Sequence, residues 1–382
     1  MSNSVAIAEH YGLMSEASVV DSNNNNLSFN SSDHRTDYNN PAYSDYDASY
    51  LEMQSLNTIF TFYMPPILIL IGSIGNIITL IVLHQKTFKP YSISFYMSSY
   101  AIANLLTLYL FLGSEWIAEV ADEKTIDNRS DWLCRLWQFI MRVISYSGIW
   151  FVVAMVIDRY IIIWHPWKVS SMCTIFMAKF AAVIIIVGLV VVSIHAMWTY
   201  ELMNHCYPLH NENDIHAMIW PWMSASFYSF IPLALLFIFN ILIVAGLCLK
   251  RPVKHSHNLG PHQMVLTHTT LALSTIYFLL VLPPTVMNII NKTFPPSWLQ
   301  DGALMVQMER ARVATYFMAW VNTVILFCLC LLFSRTFRGE FVDILTSKLC
   351  FRHQSRIYEL QVGSQSSATQ VEMDACTETT PL

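Results

Sequence analysis

The fold class that the sequence predicts is an all-α membrane protein, a seven-transmembrane helix bundle with a short interfacial eighth helix. Two observations predict it. Hydrophobic residues make up 54% of the 382 and charged residues only 12%, about half the charged share of a soluble domain. The few charges also cluster, leaving stretches of about 20 residues almost without any, the length at which a helix rising about 1.5 Å per residue crosses the hydrocarbon of a bilayer. The net charge of -5 is a small sum of two opposed sides and carries little by itself.

The elements follow in chain order. Residues 1–57 read as a disordered extracellular tail, polar and Asn-rich at Asn23 to Asn26, with no helical apolar stripe. Its start lacks the basic and apolar pattern of a secretory signal, so the first helix is expected to carry the tail across. Apolar runs then cover 59–83, 93–112, 133–163, 176–197, 219–249, 266–290 and 314–333, seven in all, which places the bundle at 58–333. In 334–350, Phe337, Phe341 and Ile344 recur at i, i+4 and i+7 among charges, the sign of a helix lying in the interface. Residues 351–382 are polar and Ser/Thr-rich and read as a disordered cytoplasmic tail. No internal repeat is visible.

Loop charge sets the expected orientation. Lys86, Lys89, Lys168, Lys250, Arg251, Lys254, Arg335 and Arg338 fall after helices 1, 3, 5 and 7, whereas Glu119, Asp122, Glu123, Asp127, Asp131 and Glu201 fall on the opposite side. Positive residues stay in the cytoplasm, so the N-terminus is expected outside and the C-terminus inside, in the plasma membrane. The sequons at Asn26, Asn30, Asn128 and Asn291 all land on the expected outer face, as glycosylation requires. Of eight cysteines, only Cys134 and Cys206 sit on that oxidising side. Their pairing would tie the top of helix 3 to the loop between helices 4 and 5; the alternative is two free thiols.

At the inner end of helix 3 stands Asp158-Arg159-Tyr160. An arginine at the membrane boundary is costly unless paired, and Asp158 supplies a partner. Release of that pair would make a two-state element, Arg159 being held on its own helix or extended into a cavity among the helix ends. The alternative is a pair of ordinary boundary charges.

Over roughly residues 58–350 the chain resembles a rhodopsin-like G-protein-coupled receptor. The resemblance rests on Gly75-Asn76, Ala103-Asn104-Leu105, Cys134, Asp158-Arg159-Tyr160, Cys206, Pro232, Leu282-Pro283 and Phe337-Arg338-Gly339-Glu340-Phe341. It implies ligand entry from outside, an outward swing of helix 6 about its proline, and docking of a heterotrimeric G protein against Arg159. Pro232, Pro283 and Pro284 are the expected kink sites, since each removes a backbone donor. The departures are specific. Asn104 stands where the family has a carboxylate, Gly148 where it has a serine, and Asn240 where it has a tyrosine. Val281 or Leu282, depending on which proline aligns, stands for its helix 6 tryptophan. Leu326-Phe327-Cys328-Leu329-Cys330 replaces its Asn-Pro-x-x-Tyr. Together Asn104, Gly148 and Leu326 take away the acidic, oxygen-rich sodium pocket, so no sodium regulation is expected.

Ligand classes can be narrowed. A retinal pigment needs a lysine in helix 7, and 314–333 contains none; the amine-receptor aspartate is replaced by Met141. The outer half of helix 3 instead carries Gln138, Met141, Arg142 and Ser145 on one face. With Glu115 closing helix 2, and Glu309, Arg310, Arg312 and Tyr316 opening helix 7, it forms a charged, aromatic-walled vestibule. That suits a peptide, Arg142 or Arg312 taking a carboxylate and Glu115 or Glu309 a basic residue. The alternative is an Arg142–Glu115 pair acting only as structural glue. Tail tyrosines among acids, such as Asp45-Tyr46-Asp47, are either sulfated to capture basic peptides or simply polar disorder. His255, His257, His262 and His268 lack the Cys or acid that a metal site would add, so no metal and no cofactor is expected. Cys350 is a palmitoylation candidate, and the Ser/Thr-rich tail a phosphorylation and arrestin-recruitment candidate. Nothing points to an enzyme or to nucleic acid; the expected partners are a peptide-like ligand, a G protein, arrestin and the bilayer. The rivals are a decoy or scaffold receptor that binds but couples poorly, and a seven-span transporter, which would call for intramembrane charges and repeats.

Overall fold

The computed structural model describes residues 55–346 apart from 57, 204, 209–218, 220, 221, 224, 250–260 and 294–301. Among the described residues, six helices are long and apolar enough to cross a bilayer: α1 (Ile59–Leu83), α2 (Ser92–Ala121), α3 (Asp131–Trp164), α4 (Ile175–Thr199), α5 (Ser226–Leu249) and α6, whose apolar span is His262–Ile290. A seventh, α7, is a bent pair of segments, Gly302–Val324 and Leu326–Phe333. A last helix, α8, covers 335–346. Between α4 and α5 lies an antiparallel hairpin of β1 (Tyr200–Leu202) and β2 (Cys206–Pro208).

Proline explains two of the departures from regular helix, in α1 and α5. α1 opens with a π turn, Ile59–Tyr63, directly ahead of Pro65-Pro66. The two prolines bring no N–H to the carbonyls one turn back, so the backbone widens there. The π turn Ser226–Phe230 stands in the same relation to buried Pro232 in α5. Pro283 and Pro284 both lie inside α6, which runs on through Pro261–Thr293. Its last turn includes the backbone of residue 291, expected in a loop.

The interior holds two main apolar clusters. One, nearer the Asp-Arg-Tyr end, packs Tyr100, Val152, Met155, Leu236, Tyr277, Leu326 and Phe337. The other, nearer the disulfide, packs Leu108, Phe111, Met141, Tyr146, Tyr228 and Trp320. Outward faces are apolar as well, among them Leu70 and Ile74 on α1 and Phe180, Val187 and Val191 on α4, as lipid requires. Phe337 is buried, and Phe341 and Ile344 pack beside it against the bundle, so the expected apolar face of α8 forms.

α7 bends by 57° at Ile325 without a proline. Two side chains from neighbouring helices occupy carbonyls at the break instead: Asn76 Nδ2 donates to Thr323 O at 2.9 Å, and the Tyr100 hydroxyl to Asn322 O at 3.2 Å. Side chains inserted into the ladder are a recognised cause of a kink. α1 can approach because it offers glycine there: a Cβ on Gly75 would meet Phe327 Cβ at 3.0 Å. Asn26, Asn30, His255, His257, Tyr46, Cys350 and the side chain of Asn291 lie outside the described residues.

Candidate functional site

Chemistry concentrates at the two ends of the bundle. At one end, α3 delivers Asp158, Arg159 and Tyr160. Arg159 is 1% exposed, the largest fully buried side chain. It forms an ion pair with Asp158, Nε donating to Oδ2 at 3.1 Å, and Nη1 donates across to Gln263 Oε1 on α6 at 2.7 Å. Asp158 Oδ1 in turn accepts from Ser92 Oγ, at the start of α2, at 2.6 Å. Tyr160 packs its ring on Phe239 of α5. The result is a latch tying α3 to α2 and α6. Asp158 was legible because it adjoins Arg159; Ser92 and Gln263 were not, being remote in sequence and carrying no charge.

Midway along the bundle, a cavity of about 430 Å³ is lined by Tyr100, Asn104, Ser145, Gly148, Tyr277 and Asn322 among others. Asn104 Nδ2 leans toward Asn76 Oδ1 at 3.4 Å. No carboxylate lines this cavity, so a hard cation here would meet neutral oxygens alone. These residues do not fit a sodium ion.

At the other end Cys134 and Cys206 form a disulfide, which fastens the hairpin over α3. A turn ahead of α3 helps to hold it: Asn128 Oδ1 accepts from Cys206 N at 2.6 Å, and Asp131 Oδ1 from Leu202 N at 3.2 Å. Asn128 is also the sequon residue expected to carry a glycan. Its Nδ2, the atom a glycan needs, donates to Thr125 Oγ1 at 2.7 Å, and the residue is buried.

Of the six residues expected to form one ligand pocket, two line a common cavity and the others are placed around it on α2 and α3. Arg312 and Tyr316 line a cavity of about 540 Å³ between α1, α2 and α7, with Phe60, Met64, Leu68, Phe317 and Trp320 as apolar walls. Arg312 is ion-paired with Glu309 one turn earlier. Met141 is buried in the apolar cluster. Gln138 and Arg142 are buried on α3, and Arg142 reaches Tyr200 at the foot of the hairpin, not Glu115. The expected alternative of an Arg142–Glu115 pair is thereby corrected: α3 presents Arg142 toward α4 and the hairpin. Glu115, in the last turns of α2, keeps a buried Oε2 without a hydrogen-bond partner.

The sequence compares with known proteins as follows. The family model described as 7 transmembrane receptor (rhodopsin family) matches residues 75–331. Among curated proteins, the chain is similar to G-protein coupled receptor 183 of Homo sapiens, 24% identical over 183 residues, 44% of this chain and 48% of that one. The Bos taurus counterpart is 27% identical over 121 residues, 30% of this chain and 31% of the relative. The chain thus spans between about a third and a half of the length of the curated relatives it matches.

Proposed function

This chain belongs to the rhodopsin family of seven-transmembrane receptors, and from that membership we propose that it reads an extracellular ligand, a neuropeptide, and activates heterotrimeric G proteins. It is a receptor and not an enzyme. In this reading the disulfide end faces outward at the plasma membrane and the latch end faces the cytoplasm, as the loop charges favour. The described bundle corresponds to the latched state. A ligand that favours separation of α6 from α3 breaks the Arg159–Gln263 bond and frees Arg159 for a G protein. A phosphorylated tail that recruits arrestin and palmitoylation at Cys350 belong to the same reading.

The observation that carries it is the buried Arg159, joined to α6 by one hydrogen bond from its guanidinium to a neutral amide oxygen. That single charge-assisted bond is worth about 1.5–3 kcal/mol, a latch that ligand binding can overcome. The peptide reading is supported by ionisable groups left over near the disulfide end. Arg312 and Glu309 neutralise each other, while Arg142 and Glu115 have no ionic partner among the described residues.

The test is GTPγS exchange in membranes. Arg159→Ala should lower basal and stimulated exchange at least tenfold. Gln263→Glu, which turns that bond into a full ion pair with the guanidinium, should lower basal exchange several-fold. If neither variant differs from wild type in any G-protein background, coupling through Arg159 is wrong and the chain binds without coupling.

A further inference from the structure

Near the disulfide end, α3 buries a charge that nothing described in the molecule answers. Arg142 is 4% exposed. Its Nη1 donates to the Gln138 carbonyl at 3.2 Å and its Nη2 to the Tyr200 hydroxyl, and the guanidinium lies 4.6 Å from the centre of the Tyr200 ring. The Tyr146 hydroxyl, one turn along α3, is a further hydrogen-bond partner, and every one of these partners is neutral. Among the described residues no carboxylate comes within ion-pair distance, and Nε has no hydrogen-bond partner. The neighbours on the same helical face repeat the pattern. Gln138 Oε1, one turn above, and Ser145 Oγ, one turn below, are buried polar atoms without partners.

Stability gives no reason for this arrangement. An apolar side chain would suit a buried, membrane-level position better than an unanswered cation. Buried polar atoms left unmatched in series call for a missing partner, and the partner that suits a guanidinium fork beside an amide oxygen is an oxyanion carrying a nearby donor. Arg312 is the weaker candidate because Glu309 already supplies its carboxylate.

We infer that Arg142 and Gln138 form the receiving site for a carboxylate on the ligand, the Tyr200 hydroxyl holding its place in the unliganded molecule. This rests on the receptor reading above and names the chemistry of one end of the ligand. The carboxylate engages Nε and Nη2 of Arg142, while Gln138 Oε1 accepts from a neighbouring N–H or O–H of the same ligand. Tyr200 opens β1 and is fastened through the hairpin to the Cys134–Cys206 bridge. Displacement of its hydroxyl therefore links ligand arrival to the hairpin.

The experiment uses the purified full chain in lipid nanodiscs and reads the thermal midpoint, which needs no G protein, so it can fail while coupling stands. The probes are phenylacetate, N-acetyl-phenylalanine and the uncharged phenylacetamide. Both acids should raise the wild-type midpoint, by about 3 °C at a tenfold excess over the dissociation constant. Phenylacetamide should not, and Arg142→Gln should lose the shift. A larger shift with N-acetyl-phenylalanine assigns the carboxylate to a peptide end; a larger one with phenylacetate assigns it to a small acid. Without probe, Arg142→Met should match or exceed the wild-type midpoint. The inference is overturned if the acids produce no shift, if the shift survives Arg142→Gln, or if Arg142→Met melts several degrees lower, as a structural strut would. Should Arg142→Gln not fold, Tyr200→Phe decides: the acid shift grows if the hydroxyl is a placeholder, and an unchanged or smaller shift overturns it.

Discussion

Asp127 and Asn128 sit side by side in the turn ahead of α3, and each shows how burial changes what a residue does. Asn128-Arg129-Ser130 reads locally as a glycosylation signal, and the fold gives its parts structural partners as well. Asn128 serves Cys206 and Thr125, and Ser130 caps α3 by accepting from Leu133 N at 3.3 Å. Nothing in a three-residue pattern reveals that, because the partner strand lies 78 residues away. Asp127 is buried beside it, and burial pushes its carboxyl above the ordinary range, with His205 and nearby hydrogen bonds opposing. A raised folded-state value means that the folded chain holds the proton more tightly than the unfolded one. The contribution to stability is then fully present below the ordinary carboxyl value of about 4 and is lost as pH rises through the folded value. Asp127→Asn should therefore raise the thermal midpoint of the purified receptor at pH 7 and leave it unchanged near pH 3.5. A variant that melts lower than wild type at pH 7 would mean that the ionised carboxylate holds the turn together.

At the scale of elements, α7 is the informative case. A bend made by proline is permanent, because the missing N–H cannot be restored; a bend made by the Tyr100 and Asn76 side chains is conditional. Each such bond contributes about 0.5–1.5 kcal/mol, so removing one shifts the bent and straight forms by a factor of roughly 2 to 10. Straightening 57° over the eight residues of Leu326–Phe333 would move the end of α7 by about 10 Å at 1.5 Å per residue. Tyr100→Phe should accordingly broaden the distance distribution between spin labels at Ile81 and Leu332, both lipid-exposed. Adding Phe327→Pro should narrow it again by making the bend permanent. Identical distributions in wild type and Tyr100→Phe would dismiss the tyrosine as the cause. Seven spans were legible in sequence because each is a local run of apolar residues whose length the bilayer dictates. The first turns of α7 were not, since Glu309, Arg310 and Arg312 break the run; the helix accommodates them by pairing Glu309 with Arg312 and lining a cavity with the latter. The latch was legible only at Asp158-Arg159, because helical spacing fixes which residues share a face, not which neighbour that face meets.

For the molecule as a whole, α7 also decides the topology. Six straight spans would return the chain to the side it started from, so the two termini lie on opposite sides only if the bent pair crosses completely and does not turn back. Packing favours a full crossing. Phe317, in the first segment of α7, lies 5.1 Å ring to ring from Phe60 at the start of α1, whereas Phe337, just beyond the second segment, lies 6.3 Å from Phe88. Phe88 follows α1 and stands near Ser92, which bonds the Arg159 latch through Asp158. α7 thus begins at the disulfide end with the start of α1 and finishes at the latch end with its finish. The charges agree: Lys86, Lys89, Lys168, Arg335 and Arg338 gather at the latch end, and Glu119, Asp122, Glu123 and Asp131 at the disulfide end. With basic loops retained in the cytoplasm, an N-terminal tag should label on intact cells and a C-terminal tag only after permeabilisation. Labelling of both tags on intact cells, or of neither, would make α7 a re-entrant loop. The Arg159 latch and the disulfide could then no longer belong to opposite faces of one signalling bundle.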